Sequence, residues 1–98
     1  MTEGEILARV KTGLMITGNH FDDVLTLHIG DVKSYLRRAG VNETVIESSE
    51  SVGVILRGVT DLWNNGSGDV KFSPYFYDRV SQLALSGGRE DVSTDSNQ

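Results

Sequence analysis

The stretch VIESSESVGVILRGVTDLW, residues 45–63, decides the fold, because it predicts one long amphipathic helix. At 100° per residue, its apolar side chains fall on one arc about 120° wide, with small residues beside them and charged residues opposite. Gly53 and Gly58 lie inside this helix and should each cost about 1 kcal/mol relative to alanine, so they indicate a bend or the close approach of another backbone. The apolar arc contains Val45, Val52, Ile55, Leu56, Val59, Leu62 and Trp63.

Two further helices are predicted on the N-terminal side of this stretch. Thr2 and Glu5 have the spacing of a capping box at the start of a short first helix, which should end at Gly13. Asn19 is the predicted N-cap of a longer second helix, and Gly40 is the predicted left-handed residue that stops it.

Further residues predict where the central helix begins, where a last helix begins, and which residues connect the two. Asn42 should cap the central helix. Ser73 followed by Pro74 is typical of a helix start, so the last helix should begin there. Residues 64–69, NNGSGD, predict a loop between the two helices, and the sequence assigns this loop no role.

These patterns predict an all-α protein. We expect a small bundle of about four helices, with two long antiparallel central helices, a short N-terminal helix and a C-terminal helix. Residues 1–85 would form one helical domain, and residues 86–98, with one apolar residue, a flexible C-terminal tail. The predicted core contains Phe21, Leu25, Val32, Leu36, Val52, Leu56, Val59, Trp63, Phe76, Val80 and Leu83.

Composition limits the function. The chain has 98 residues, a net charge of −5 and no cysteine. Disulfides and thiol chemistry are therefore excluded, and the charge argues against tight binding to a nucleic-acid backbone. No apolar run approaches the ~20 residues that span a bilayer, and the first residues lack the layout of a signal peptide, so we expect synthesis in the cytoplasm and no membrane partner.

Three charged groups could suggest a site, and each has a simpler interpretation. Asp22 and Asp23 resemble a catalytic pair, but the first turn of a helix favours such residues through its dipole. His20 and His28 lack the close spacing of metal ligands. The basic residues Lys33, Arg37 and Arg38 indicate either a solvated helix face or a small patch for an acidic partner or DNA. We predict no catalytic, metal or cofactor site and no enzymatic activity.

Three segments together resemble one protein family. They are DVKSYLRRAGV (residues 31–41), SVGVILRGVTDLWNNGSGDVKFS (51–73) and SPYFYDRVSQLAL (73–85). The chain is similar over about residues 6–85 to the head–tail connector proteins of tailed bacteriophages, the adaptor or head-completion proteins of siphophages. The pattern F-x-x-R-V-x-Q-L, which begins at Phe76, carries the most weight.

The resemblance implies an all-α subunit that forms a ring, dodecameric on the portal protein, in the virion at the head–tail interface. The ring would extend the DNA exit channel, let DNA pass without specific binding, and offer a platform to a downstream stopper or tail-completion protein. It also implies that residues 86–98 reach a neighbouring subunit or the portal. The candidate contacts with another subunit or the portal are Leu27, Val54, Arg57, Tyr75, Leu85, Arg89 and Val92.

Two other functions remain open at this stage. The helices joined at Gly40 could form a helix-turn-helix of a DNA-binding regulator, although Glu43, Glu47 and Glu50 give the following helix the wrong sign for DNA. The chain could also be an adaptor that binds a host protein, which only the stoichiometry of its complexes would separate from the connector.

Overall fold

The protein is an α-helical bundle, as predicted, over residues 1–65 and 72–85, which this computed structural model describes. The last of the described helices packs on the fourth, which also contacts the first two. The loop predicted for residues 64–69 is wrong for residues 64 and 65, which belong to the last turn of α4, and its remainder lies outside the described residues, as does the predicted tail. The helices are α1 (Glu3–Leu14), α2 (Asp22–Arg38), α3 (Glu43–Ile46), α4 (Val52–Asn65) and α5 (Pro74–Leu83), with a 3-10 turn (Ser49–Ser51) between α3 and α4.

The prediction of one unbroken central helix over residues 45–63 is wrong, because serine side chains divide it. Ser48 Oγ donates to the carbonyl of Val45 (2.7 Å) and accepts from the amide of Glu50 (3.1 Å). Ser51 is fully buried, and its Oγ donates to the carbonyl of Ile46 (2.6 Å). Because these hydroxyls donate hydrogen bonds to the carbonyls at the end of α3, the helix ends there and a new turn begins. Local hydrogen bonding therefore overrides the helical periodicity of the apolar residues.

Three predicted helix caps are confirmed. Thr2 Oγ1 accepts from the amide of Glu5 (3.1 Å), and the Glu5 carboxylate accepts from the amide of Thr2 (2.8 Å), which completes the capping box. Asn42 caps α3 by accepting from the amide of Thr44 (2.8 Å). Ser73 caps α5, with Pro74 in its first turn. Each cap spans two or three residues, which is why the sequence alone predicts it.

The connection between α1 and α2 differs from the prediction. Helix α1 runs through Gly13 to Leu14, and Met15 adopts the left-handed conformation at its end (φ 61°). Helix α2 begins at Asp22 instead of following a cap at Asn19, whose main-chain carbonyl accepts from the Asp22 amide in a turn (3.2 Å). At the other end of α2, Gly40 has a positive φ of 92°, as expected of a helix stop.

Most of the predicted core is buried. Four of its members are only partly buried: Val52, Leu56, Trp63 and Leu83. Phe21 was wrongly placed in the core, since it is 39% exposed and meets Trp63 edge-on with ring centres 5.1 Å apart. The fully or nearly fully buried members are Leu25, Val32, Leu36, Val59, Phe76 and Val80.

Glycines allow α4 to sit close to its neighbours. A Cβ atom at Gly58 would lie 2.7 Å from Phe76 Cε1 and 2.8 Å from Val32 Cγ2, so α2 and α5 both press on this position. A Cβ atom at Gly13 of α1 would likewise lie 2.6 Å from Leu56 Cδ2. The close approach predicted for the central helix is therefore found at Gly58.

Candidate interaction surfaces

Of the four apolar or aromatic side chains predicted to contact another subunit or the portal, three are exposed and one is buried. Leu27, Tyr75 and Leu85 are 69%, 54% and 72% exposed in the single chain. Val54 is only 2% exposed, so its assignment to a subunit interface is wrong. Val54 falls outside the apolar arc predicted for one long helix, but the buried face of α4 includes it.

Of the remaining candidate contacts, one lies within the described residues and two do not. Arg57 is partly exposed on α4 and lies 3.7 Å from a carboxylate oxygen of Asp61. Arg89 and Val92 lie outside the described residues. The role of each exposed candidate in binding stays a prediction.

The basic patch proposed on α2 is largely neutralised. Lys33 is buried, and its Nζ lies 3.3 Å from Glu47 Oε2. Arg37 makes a two-pronged contact with Glu43, with Nε–Oε1 at 2.7 Å and Nη2–Oε2 at 3.1 Å. The hydrogen bonds that Arg37 donates to Glu43 lower the pKa of the Glu43 carboxyl and raise the pKa of Arg37. These two cations tie the segment that begins at α3 to α2, which leaves Arg38 as the member of the patch that forms no ion pair within the described residues.

The paired aspartates occupy the first turn of α2, as the dipole interpretation requires. Asp22 also accepts from Lys11 Nζ at 2.8 Å, which ties α1 to the start of α2. Asp23 is exposed. The two side chains thus have different surroundings and do not face one shared site.

The histidines do not assemble a metal centre within the described residues. His20 is exposed and packs edge-on against Phe21, with ring centres 4.8 Å apart, and His28 is half-buried on α2. No group of three or more histidine or acidic side chains there could hold a metal ion. Among the described helices, none combines the length and apolar character needed to cross a membrane.

An open groove between α4 and α5 carries two arginines, and we name it the arginine groove. The guanidinium carbons of Arg57 and Arg79 lie 5.3 and 5.9 Å from the ring centre of Tyr75, within cation–π range. Arg79 Nη1 also donates to the Tyr75 hydroxyl at 3.3 Å. The groove has a volume of about 280 Å³ and is lined by Gly53, Leu56, Arg57, Thr60, Tyr75 and Arg79.

Sequence reasoning found only part of this groove. It singled out Arg57 and Tyr75 separately but did not connect them with Arg79. Two signals were available: the four-residue spacing that puts Tyr75 and Arg79 on one side of α5, and the small residues Gly53 and Thr60 on one side of α4. What the sequence does not show is that α4 and α5 pack with these two sides next to each other.

A second groove lies between the end of α2 and α5. It has a volume of about 300 Å³, and its walls include the rings of Tyr35 and Tyr77, 5.8 Å apart between centres. Exposed Leu85 forms one rim. The residues of this groove are mainly apolar and aromatic, in contrast with the charged arginine groove.

Several exposed apolar side chains were missed. Met15 is 90% exposed in the turn after α1, and Val24 is 43% exposed on the same helix as Leu27. Comparison with protein-family models, with curated proteins and with solved structures found no match.

Proposed function

We propose that this chain is a structural virion protein, a head–tail connector of a tailed bacteriophage. In this role it forms a homo-oligomeric ring beneath the portal, extends the DNA exit channel and completes the head so that a stopper or tail-completion protein can attach. The role is architectural rather than catalytic. The observation that carries the proposal is the resemblance of three segments of the sequence to this family.

The positions of those segments support the proposal. They contribute the C-terminal half of α2, helix α4 and helix α5, which pack together around Gly58. Phe76, the first residue of the F-x-x-R-V-x-Q-L pattern, is fully buried against α4. The resemblance therefore falls on residues that build the bundle as well as on exposed ones such as Arg79.

The surface also supports an assembly role. Leu27, Tyr75 and Leu85 expose large apolar area on three parts of a small chain, and such side chains are typical of protein contacts. The net charge of −5 would repel DNA phosphates from a channel wall, which suits a genome that slides past without being held.

The geometry gives the DNA-binding alternative no support. The helix after Gly40 is α3, which has four residues, whereas a recognition helix must extend along a major groove. Glu43 and Glu47 lie on this segment and pair with Arg37 and Lys33.

The experiment is light scattering on the full chain, alone and mixed with the portal ring encoded in the same genome. We expect comigration with the portal at about one chain per portal subunit, as the symmetry of a ring on a ring requires. A chain truncated after Leu85 retains every described contact, so it should stay folded and bind the portal more weakly. A full chain that ignores the portal would contradict the proposal, and salt-dependent duplex binding would favour the regulator instead.

A further inference from the structure

The arginine groove carries positive charge that the described residues neutralise only in part. Arg79 is exposed and has no acidic side chain within ion-pair distance among residues 1–65 and 72–85. Arg57 is only loosely paired, at 3.7 Å from Asp61, and within the same residues its buried Nε atom has no hydrogen-bond partner. Guanidinium groups present fixed forks of donors that match carboxylates. The groove therefore suits an acidic partner.

A surface of opposite charge lies on α2. It consists of two aspartates with a leucine between them, Asp23, Leu27 and Asp31, and we name it the acidic ridge. Successive members are four residues apart, so each step moves about 6 Å along the helix and about 40° around it. All three are exposed, and the four-residue spacing places Leu27 between the two aspartates along the helix. Neither aspartate forms an ion pair within the described residues.

The ridge and the groove lie on opposite sides of the molecule. Helix α4 faces α2 with Gly58, and Gly53 and Thr60 of the groove lie about 140–160° around α4 from that position. Helix α2 in turn faces the core with residues such as Leu25 and Val32, which are fully buried, while the ridge is exposed. One chain therefore cannot place its own ridge in its own groove.

We propose that this groove binds the acidic ridge of a second copy of the chain, so that copies join head to tail. Asp23 and Asp31 would pair with Arg57 and Arg79, and Leu27 would lie against Tyr75 and the apolar side of the groove. Such a contact uses two different surfaces, so it repeats from copy to copy and closes into a ring where the rotation allows. The proposal identifies the subunit contact of the proposed ring and rests on that function for ring closure, but the pairing itself needs no portal.

A nucleic acid fits the groove less well than the ridge does. Backbone binding needs a track of several cations, whereas the groove has two. Asp61 lies beside Arg57, and Glu50 lines a neighbouring cleft together with Arg79. Arg38 follows Asp31 by seven residues on the same side of α2, about 10 Å further along, and so lies beyond the ridge.

The first test measures the mass of the full chain by light scattering and sedimentation over a wide range of protein concentration. We expect masses beyond a dimer at low salt, and a return to monomer at about 1 M salt, where the Debye length is about 3 Å. A chain that stays monomeric at every concentration, or that stops at a symmetric dimer, would overturn the proposal. So would association that is indifferent to salt.

The second test exchanges the charges. The ridge variant carries Asp23→Asn and Asp31→Lys, which avoids a positive charge in the first turn of α2. The groove variant carries Arg57→Gln and Arg79→Glu, which avoids a new carboxylate next to Asp61. Each variant alone should lose association, because its ridge and groove now repel. An equal mixture should regain the mass of the parent chain, since each ridge then meets a groove of opposite sign.

The mixture contains its own controls. Both variants remain acidic overall, so a general attraction between them does not explain recovery, and thermal melting checks that each is folded. A mixture that keeps the masses of the separate variants, or stops at a heterodimer, would overturn the proposal. Portal binding by the parent chain without these effects would leave the connector function standing and reject this contact. If the mixture recovers the parent mass but the parent chain does not bind the portal, the contact between ridge and groove is supported and the connector function is rejected.

Discussion

The inner and outer faces of α4 each contain a glycine, and the two glycines have opposite surroundings. On the inner face, side chains of α2 and α5 press on Gly58 from 2.7–2.8 Å around the place of a Cβ atom. On the outer face, the same atom at Gly53 would meet only Arg79 Nη2, at 3.7 Å. The sequence gives both residues the same helical cost, so only their neighbours distinguish a packing requirement from an open groove.

The charged side chains repeat this contrast between regions. On α2, Lys33 and Arg37 form ion pairs with glutamates in or next to α3 of the same chain. At the outer face of α4, Arg57 is loosely paired and Arg79 is exposed. Cations that hold the fold together and cations available to a partner thus coexist in an acidic chain, and burial and partner distance separate them.

The largest expected effect comes from emptying the inner face. Phe76→Ala should lower the free energy of unfolding by about 3–5 kcal/mol, because a fully buried ring is removed from between α4 and α5. Trp63→Ala is the matched control and should have a smaller effect, because Trp63 is only partly buried. Chemical denaturation of both variants measures this, and a larger loss for Trp63→Ala would refute the packing described here.

The next effect comes from overfilling the same face. Gly58→Ala should destabilise the protein, because overpacking of about 1–3 kcal/mol outweighs the gain of about 1 kcal/mol in helix propensity. The new methyl group would meet Phe76 and Val32, both of which are fully buried. A higher melting temperature in this variant would show that α2 and α5 can retreat from α4.

The outer glycine should respond in the opposite direction. Gly53→Ala should stabilise the protein by about 0.5–1 kcal/mol, because the helix loses a flexible residue and the methyl group makes only an ordinary contact. The same denaturation assay, run beside Gly58→Ala, gives the contrast directly. If both glycines respond with the same sign, the distinction between the two faces fails.

The smallest effect on folding is expected at the rim of the groove. Arg79→Ala should change the free energy of unfolding by no more than about 0.5 kcal/mol, because the side chain is exposed and outside any described ion pair. Its effect should appear in the association of copies instead. A strongly destabilised Arg79→Ala protein would mean that this arginine serves the fold rather than a partner.

The sequence by itself determined the all-α class and the caps at Thr2, Asn42 and Ser73. Each cap depends on hydrogen bonds between residues two or three apart, so no distant neighbour is needed to make it. The break at Ser48 and Ser51 is equally local and was readable in principle, but the apolar periodicity on both sides of it outweighed the serines in the prediction.

Tertiary structure alone decided which side chains are covered. Val54 is buried by its position in the bundle, and Lys33 is buried beside Glu47, fourteen residues further along the chain. The arginine groove likewise exists only because α5 returns to α4 and brings Arg79 to Arg57. Helical periodicity describes one helix at a time, whereas burial and charge pairing depend on how separate helices meet.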